Sequence, residues 1–335
     1  MNNIYVYRAI SGLRQLSLLE DVRPGDSRLF QHIPHELFAK AITLVEDFDE
    51  ADYFLLPHYY TDVSSKPEYI QEATDLAGKH NKIICIITSQ DDPRPISLAH
   101  AIVLRPSAYR SLLQRNEFII PGQVEDLGAQ YGVQVMHKGI RPVIGFVGKA
   151  GFDRFQDRIR YYLRNYLQYR GPRREGMYFR RKSLALLHND KRIELRTIVR
   201  KRFSGNTKSI EVSPLEARSA YVQNMKDSLF TLAPRGDGNY SLRFYETLSL
   251  GRIPVLIDTD MKLPFEEKIA YDDFIVRIPE QALGELPERL WNFWNSHSEE
   301  DLIEMQKKAR RAFEEYLYMP IFFQKFFSSD IKDTL

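Results

Sequence analysis

A chain of 335 residues with 43% hydrophobic and 27% charged residues has apolar material for two globular domains of middling size. No run of about 18 apolar residues occurs, which excludes a membrane-spanning helix as the reading of any segment. The single cysteine, Cys85, cannot close an internal disulfide, so a reducing, cytoplasmic setting is the default expectation, and eight scattered His residues give no metal-ligand spacing.

The N-terminal stretch MNNIYVYRAISG lacks the basic start and long apolar core of a secretory signal and reads as a first strand over residues 4–7. Residues 35–45 carry helical spacing (Leu37, Ala41, Ile42, Val45), and residues 53–56 form a second strand ended by Pro57. A helix over 68–80 leads to IICII at residues 83–87, a β-branched run suited to a buried parallel strand, with Cys85 as a small core residue. Residues 101–104 and 118–120 are further short strands. The polar stretch 122–139 reads as a linker.

A second series begins with the strand VIGFVG before a long helix over 152–169. Then come a helix (182–187), a strand (194–199), a helix (214–227) and a strand (229–232), followed by a turn, a helix (241–250) and a strand (253–257). Alternation of this kind argues a doubly wound parallel sheet. The chain is therefore expected to be α/β, with two Rossmann-like lobes facing a cleft. The expected division is 1–138 for a first lobe, 139–310 for a second, and 311–335 for a helical, aromatic-rich tail packing on the lobes.

Net charge is only +2, yet residues 154–202 are dense in Arg and Lys with few acids. A positive field there would attract an anion: a nucleotide diphosphate, a lipid diphosphate, a membrane surface or nucleic acid. For most of these side chains a solvated helix face is the simpler account.

The chemistry concentrates in FTLAPRGDGNYSLRFYETLSLGRIPVLIDTD, residues 230–260. It reads as a strand, a glycine-rich turn (Arg235, Gly236, Gly238, Asn239), a helix and a strand. Glycines let backbone amides approach a ligand, Ser241 is placed as an N-cap, and a helix N-terminus suits phosphate oxygens. Arg235 and Arg243 add bidentate phosphate partners. Glu246, three residues beyond Arg243, could accept bonds from two vicinal hydroxyls of a ribose, or could simply pair with Arg243 on the surface.

PRGDGNYSLRFYETLSLGRIPVLI closely resembles the core motif of the exostosin family, glycosyltransferase family 47. ADYFLLPHYY, RPVIGFVG and LPFEEKIAYDDFIVRIPE resemble other segments of that family, in the family's order. The resemblance implies a GT-B fold and inverting transfer of a sugar from a nucleotide donor, without an obligatory metal or other cofactor. It places Arg235 and Arg243 on the diphosphate and Glu246 on the ribose, with Gly148 and Lys149 facing the same ligand and Lys149 as a charge partner. Uridine is the family's usual base. The acceptor expected is a glycan or lipid-linked glycan, with peripheral membrane association left open and no nucleic acid. The chain looks like a bacterial or viral member acting from the cytosolic side, without the anchor and second catalytic domain of the animal proteins.

An inverting transfer also needs a group to take the acceptor's proton. Candidates follow first-lobe strands, where α/β sheets place ligands: His58, Asp62, Asp91 and Asp92, with Asp91 and His58 ranked first. Each could equally be a turn residue. Asp258-Thr259-Asp260 spells a metal-binding pattern, but a metal role is not expected where arginines already meet the diphosphate. The spacing of Tyr161, Tyr162, Tyr166 and Tyr169 reads as core or a partly exposed helix face, and that of Trp291 and Trp294 as core packing. An anionic-surface or nucleic-acid binder using the basic region, or an inactive transferase-like scaffold, are the competing readings.

Overall fold

The computed structural model describes residues 2–20, 33–88, 95–167, 175–202 and 213–328. Apolar runs without polar interruption set its architecture. IICII (β4, Ile83–Ile87) and AIVLR (β5, Ala101–Arg105) are buried almost throughout, as strands covered on both faces of a parallel sheet must be. With β1 (Asn3–Val6), β2 (Thr43–Val45), β3 (Tyr53–Leu55) and β6 (Glu117–Ile119) they make a six-stranded, all-parallel sheet in the order β2-β1-β3-β4-β5-β6.

Side chains alternate across this sheet, so neighbours in sequence serve different cores. Phe54, Ile84 and Ile86 pack with Tyr69, Ile70 and Ala73 of α3 (Pro67–Lys79), beside the single turn α2 (Tyr60–Val63). The single turn α1 (His35–Phe38) lies on the opposite face, where Phe38 meets Phe323. Leu55, Cys85 and Ile87 face the other way, onto Phe322, Phe323 and Phe326. Burial pushes the Cys85 thiol up, which keeps it a protonated core residue.

After α4 (Leu127–Tyr131) a second parallel sheet follows. Its strands are β7 (Val143–Lys149), β8 (Glu194–Arg200), β9 (Phe230–Ala233), β10 (Ile253–Asp258) and β11 (Val276–Pro279), in the order β11-β10-β9-β7-β8. Around it lie α5 (Phe155–Leu167), α6 (Gly176–His188), α7 (Pro214–Lys226), α8 (Leu242–Ser249), α9 (Leu286–Ser296) and α10 (Glu299–Ala312). The starts of α7 and α10 are fixed by capping boxes, Ser213 with Glu216 and Ser298 with Asp301. The chain then crosses back, and the aromatic face of α11 (Met319–Ser328) closes the core of the first sheet. Two Rossmann-like α/β lobes result.

Three elements differ from the sequence reading. The helix expected over 35–45 stops after α1, and Thr43–Val45 becomes the edge strand β2 paired with β1. Phe38, Ala41 and Ile42 are all buried, so one helical turn and a bend satisfy the same apolar spacing. The polar stretch read as a linker contains α4, capped by Asp126. Strand β11 lies in a segment read only by resemblance.

A buried ion pair fixes the part of the first lobe that reaches the second. Arg105 Nη1, at the end of β5, donates to Glu117 of β6, and both side chains are 1% exposed. Glu117 also accepts from the backbone amides of Ile96 and Gln114, while Arg105 Nε donates to the Ser107 carbonyl. Replacing Glu117 by Leu should cost about 3–5 kcal/mol in urea denaturation, because a buried guanidinium loses its counter-charge. The double variant Arg105→Met/Glu117→Leu should recover much of that loss; no recovery would contradict this account.

Candidate functional site

In the second sheet β8 and β9 lie on opposite sides of β7, so successive crossovers leave in opposite directions and open a crevice at the carboxyl ends of β7 and β9. Arg243, in the first turn of α8, spans that crevice. Its Nη2 donates to the Val147 carbonyl of β7 at 2.6 Å and its Nη1 reaches the Leu232 carbonyl of β9 at 3.5 Å. The guanidinium lies 4.3 Å from the Phe146 ring centroid. Gly148 makes this possible: a Cβ there would come within 2.8 Å of Arg243 Nη2.

The turn after β9 brings a second guanidinium. Arg235 is buried, donates to the Tyr109 hydroxyl of the first lobe and to the Asp237 carbonyl at 2.9 Å, and lies over the Tyr109 ring. A third comes from α6. Arg180 reaches the carbonyls of Lys149 (3.3 Å) and Arg235 (3.5 Å). Helix α6 can approach this closely because it starts at Gly176, where a Cβ would sit 2.0 Å from the Gly236 carbonyl oxygen. Burial, and next the neighbouring Arg243 charge, pull the Arg180 guanidinium down to about 10.

None of Arg180, Arg235 and Arg243 has a carboxylate within salt-bridge distance among the described residues, and each retains a buried Nε with no partner. Ser241 occupies the N-cap position of α8, but no side-chain bond caps the helix. Unspent donors and positive charge therefore converge on one crevice, the arrangement that receives an anion. Lys149 is exposed at the end of β7.

Other expected site residues play structural parts. Asn239 is buried: its amide donates to Ser107 Oγ at 2.8 Å, and its Nδ2 donates to the carbonyls of Ala108 (2.9 Å) and Thr259 (3.1 Å). It clamps the lobes together and does not face a ligand. Glu246 does not pair with Arg243. It is buried and accepts from Arg218 Nη1 at 2.8 Å and from the Tyr221 hydroxyl, while Arg218 also meets Glu125 at 3.1 Å. Burial and then Glu246 push the Tyr221 phenol up, so it stays a donor.

His58 is corrected outright as a base candidate. It is fully buried, Nε2 accepts from the Ile10 amide at 2.8 Å, and Nδ1 lies 2.7 Å from the Arg14 carbonyl. With both ring nitrogens engaged, it staples the loop after β1. Asp91 and Asp92 lie outside the described residues. Asp258 accepts from Arg277 and Asp260 from Ser111. Among the described residues no group of three His, Cys, Asp or Glu could hold a metal.

Sequence reasoning named Arg235 and Arg243 but saw Arg180 only as part of a basic stretch. It missed Arg218, Tyr221 and Tyr109 altogether. Gly176 at the head of α6 was the one signal of a close approach.

Residues 155–293 match the family model of the Exostosin GT47 domain, and this part of the chain is exostosin-like. An Exostosin-1 homolog of Caenorhabditis elegans is 34% identical over 100 residues, covering 30% of this chain and 25% of the relative. A probable beta-1,4-xylosyltransferase, IRX10, of Arabidopsis thaliana is 34% identical over 68 residues, 20% of this chain and 16% of the relative. The matches thus span a quarter or less of these relatives' length. A crystal structure of TarM is a distant likeness, 11% identical with a TM-score of 0.39, over 74% of this chain and 50% of that one.

The geometry separates supporting groups from groups with spare capacity. Arg218→Met strands Glu246 without its cation and should lower stability by about 3–5 kcal/mol. Arg243→Met removes bonds to carbonyls only and should cost about 1 kcal/mol. Denaturation midpoints of the two variants test this, and the reverse order would contradict it.

Proposed function

We propose that this exostosin-like chain is an inverting glycosyltransferase that moves a sugar from a nucleotide-diphosphate donor, with uridine as the base, to a glycan hydroxyl. The observation that carries the reading is the cluster of Arg180, Arg235 and Arg243 at the carboxyl ends of β7 and β9, where no carboxylate among the described residues forms an ion pair with them. Charge builds on the diphosphate as the bond to the anomeric carbon breaks. Donors already oriented in a partly desolvated crevice stabilise that charge without having to reorganise.

In this proposal the uncapped start of α8 and Lys149 add to the same field. Glu246, held in one orientation by Arg218 and Tyr221, keeps a lone pair on each oxygen for the ribose. The acceptor proton is assigned to Asp91, which follows β4 in the chain. No metal is required, because guanidinium groups do the neutralising. A nucleic-acid reading has less support: Arg192, Arg196 and Arg202 in the basic stretch pair with Asp190, Glu194 and Asp153.

Thermal melting with uridine, guanosine and cytidine diphosphates tests the donor site. A ligand at a hundred times its Kd should stabilise by about 2.7 kcal/mol. One base should do so, chelator should leave both the shift and sugar transfer intact, and Arg180→Met or Arg243→Met should abolish the shift. No shift with any nucleotide would contradict the proposal.

Peripheral association with an anionic membrane is proposed for α5. Phe155, Ile159, Tyr162 and Leu163 share one face and are 73%, 44%, 50% and 56% exposed, while Tyr161 packs inward on Phe152. Arg158 and Arg160 flank the exposed face, as an interfacial helix requires. Flotation with phosphatidylglycerol vesicles, lost with neutral vesicles and in Phe155→Glu/Leu163→Glu, is the expected result; equal recovery with neutral vesicles would contradict it.

A further inference from the structure

Between the carboxyl edge of the first sheet and the start of α8 lies a cavity with about 60 Å³ of water-accessible space, room for several waters or a small apolar group. Its two ends differ in chemistry. Toward the donor turn it is rimmed by Tyr240 and by a polar chain in which Ser17 Oγ lies 3.2 Å from the Tyr59 hydroxyl and donates to Gln123 Oε1 at 3.0 Å. Deeper, the wall is Phe38, Ile87, Ile120, Met319 and Phe323. A second, much smaller void of about 10 Å³, lined wholly by apolar side chains, shares Leu18, Phe38 and Phe323 with the first and lies toward Ile42 and Phe327 under α11.

Thr88 adds an independent sign of a ligand. It lines the larger cavity, is 4% exposed, and its Oγ1 has no hydrogen-bond partner. A buried hydroxyl left so is costly unless something reaches it. A purely sugar acceptor would leave most of its own hydroxyls against hydrocarbon, which is unfavourable. A molecule with an oxygen-rich head and a hydrocarbon or aryl body would satisfy both ends.

We propose that the acceptor carries an apolar aglycone, which seats between Leu18, Phe38 and Phe323, with its reacting hydroxyl at the Tyr240 rim beside the donor turn. This rests on the glycosyltransferase reading. The aglycone's oxygen link meets Thr88, and α11 forms the far wall of the aglycone slot.

Thermal melting and calorimetric titration with octyl glucoside below its micelle concentration, 4-nitrophenyl glucoside and glucose test this, each with and without uridine diphosphate. Octyl glucoside is expected to bind at least about tenfold more tightly than glucose. The Leu18→Phe variant, which narrows the junction of the two cavities, should weaken octyl glucoside about tenfold and keep the nucleotide shift. Leu242→Gln at the mouth is the second variant, should Leu18→Phe fail to fold. Preference for octyl glucoside alone identifies a lipid aglycone; equal preference for the nitrophenyl compound identifies an aryl one. Glucose binding as tightly as octyl glucoside, or octyl glucoside binding unchanged in both variants, overturns the inference. A nucleotide shift without any glycoside binding sinks this inference and spares the donor site. Glycoside binding without a nucleotide shift does the reverse.

Discussion

Asn239 sits where the lobes meet, its backbone amide bonded to Ser107 and its side-chain amide to the carbonyls of Ala108 and Thr259. Its Oδ1 accepts from Thr259 Oγ1 at 2.6 Å, so the side chain is satisfied at both ends while buried. Those bonds tie the first-lobe segment after β5 to the donor turn and to the end of β10. A buried amide is costly to leave unpaired, so the lobes dock in one register. Arg105 and Glu117 hold the same segment from the first-lobe side, and Arg110 pairs with Glu266 across the junction. Tyr109 is thereby delivered to Arg235.

That docking leaves charge unbalanced. Three guanidiniums are held against carbonyl oxygens and a phenol, and burial with the neighbouring Arg243 charge pulls the Arg180 guanidinium down to about 10. At Arg218 two carboxylates, Glu246 and Glu125, answer the charge. The contrast lies within a few residues on α8: Glu246 is paired with a cation, and Arg243 meets no carboxylate among the described residues. The proposed donor site lies where that pairing is withheld.

Much of the fold was legible in the sequence, because β4, β5, β7, β9 and β10 are apolar runs bounded by turns and need no tertiary context to be recognised. The short strand β2 was not, since three residues cannot outweigh a helical spacing just before them. At the site, the Arg-Gly turn was legible as local chemistry. Arg180 was not, because its place depends on Gly176 meeting Gly236 sixty residues later in the chain. His58 failed as a base for a related reason. Its partners, Ile10 and Arg14, lie more than forty residues earlier, and no local pattern announces them.

The most direct measurement is a crystal structure of the protein grown with uridine diphosphate. The account predicts the diphosphate in the crevice at the ends of β7 and β9, with its oxygens within hydrogen-bond distance of Arg180, Arg235 and Arg243. Nucleotide bound elsewhere, with these three arginines keeping their present partners, would contradict it.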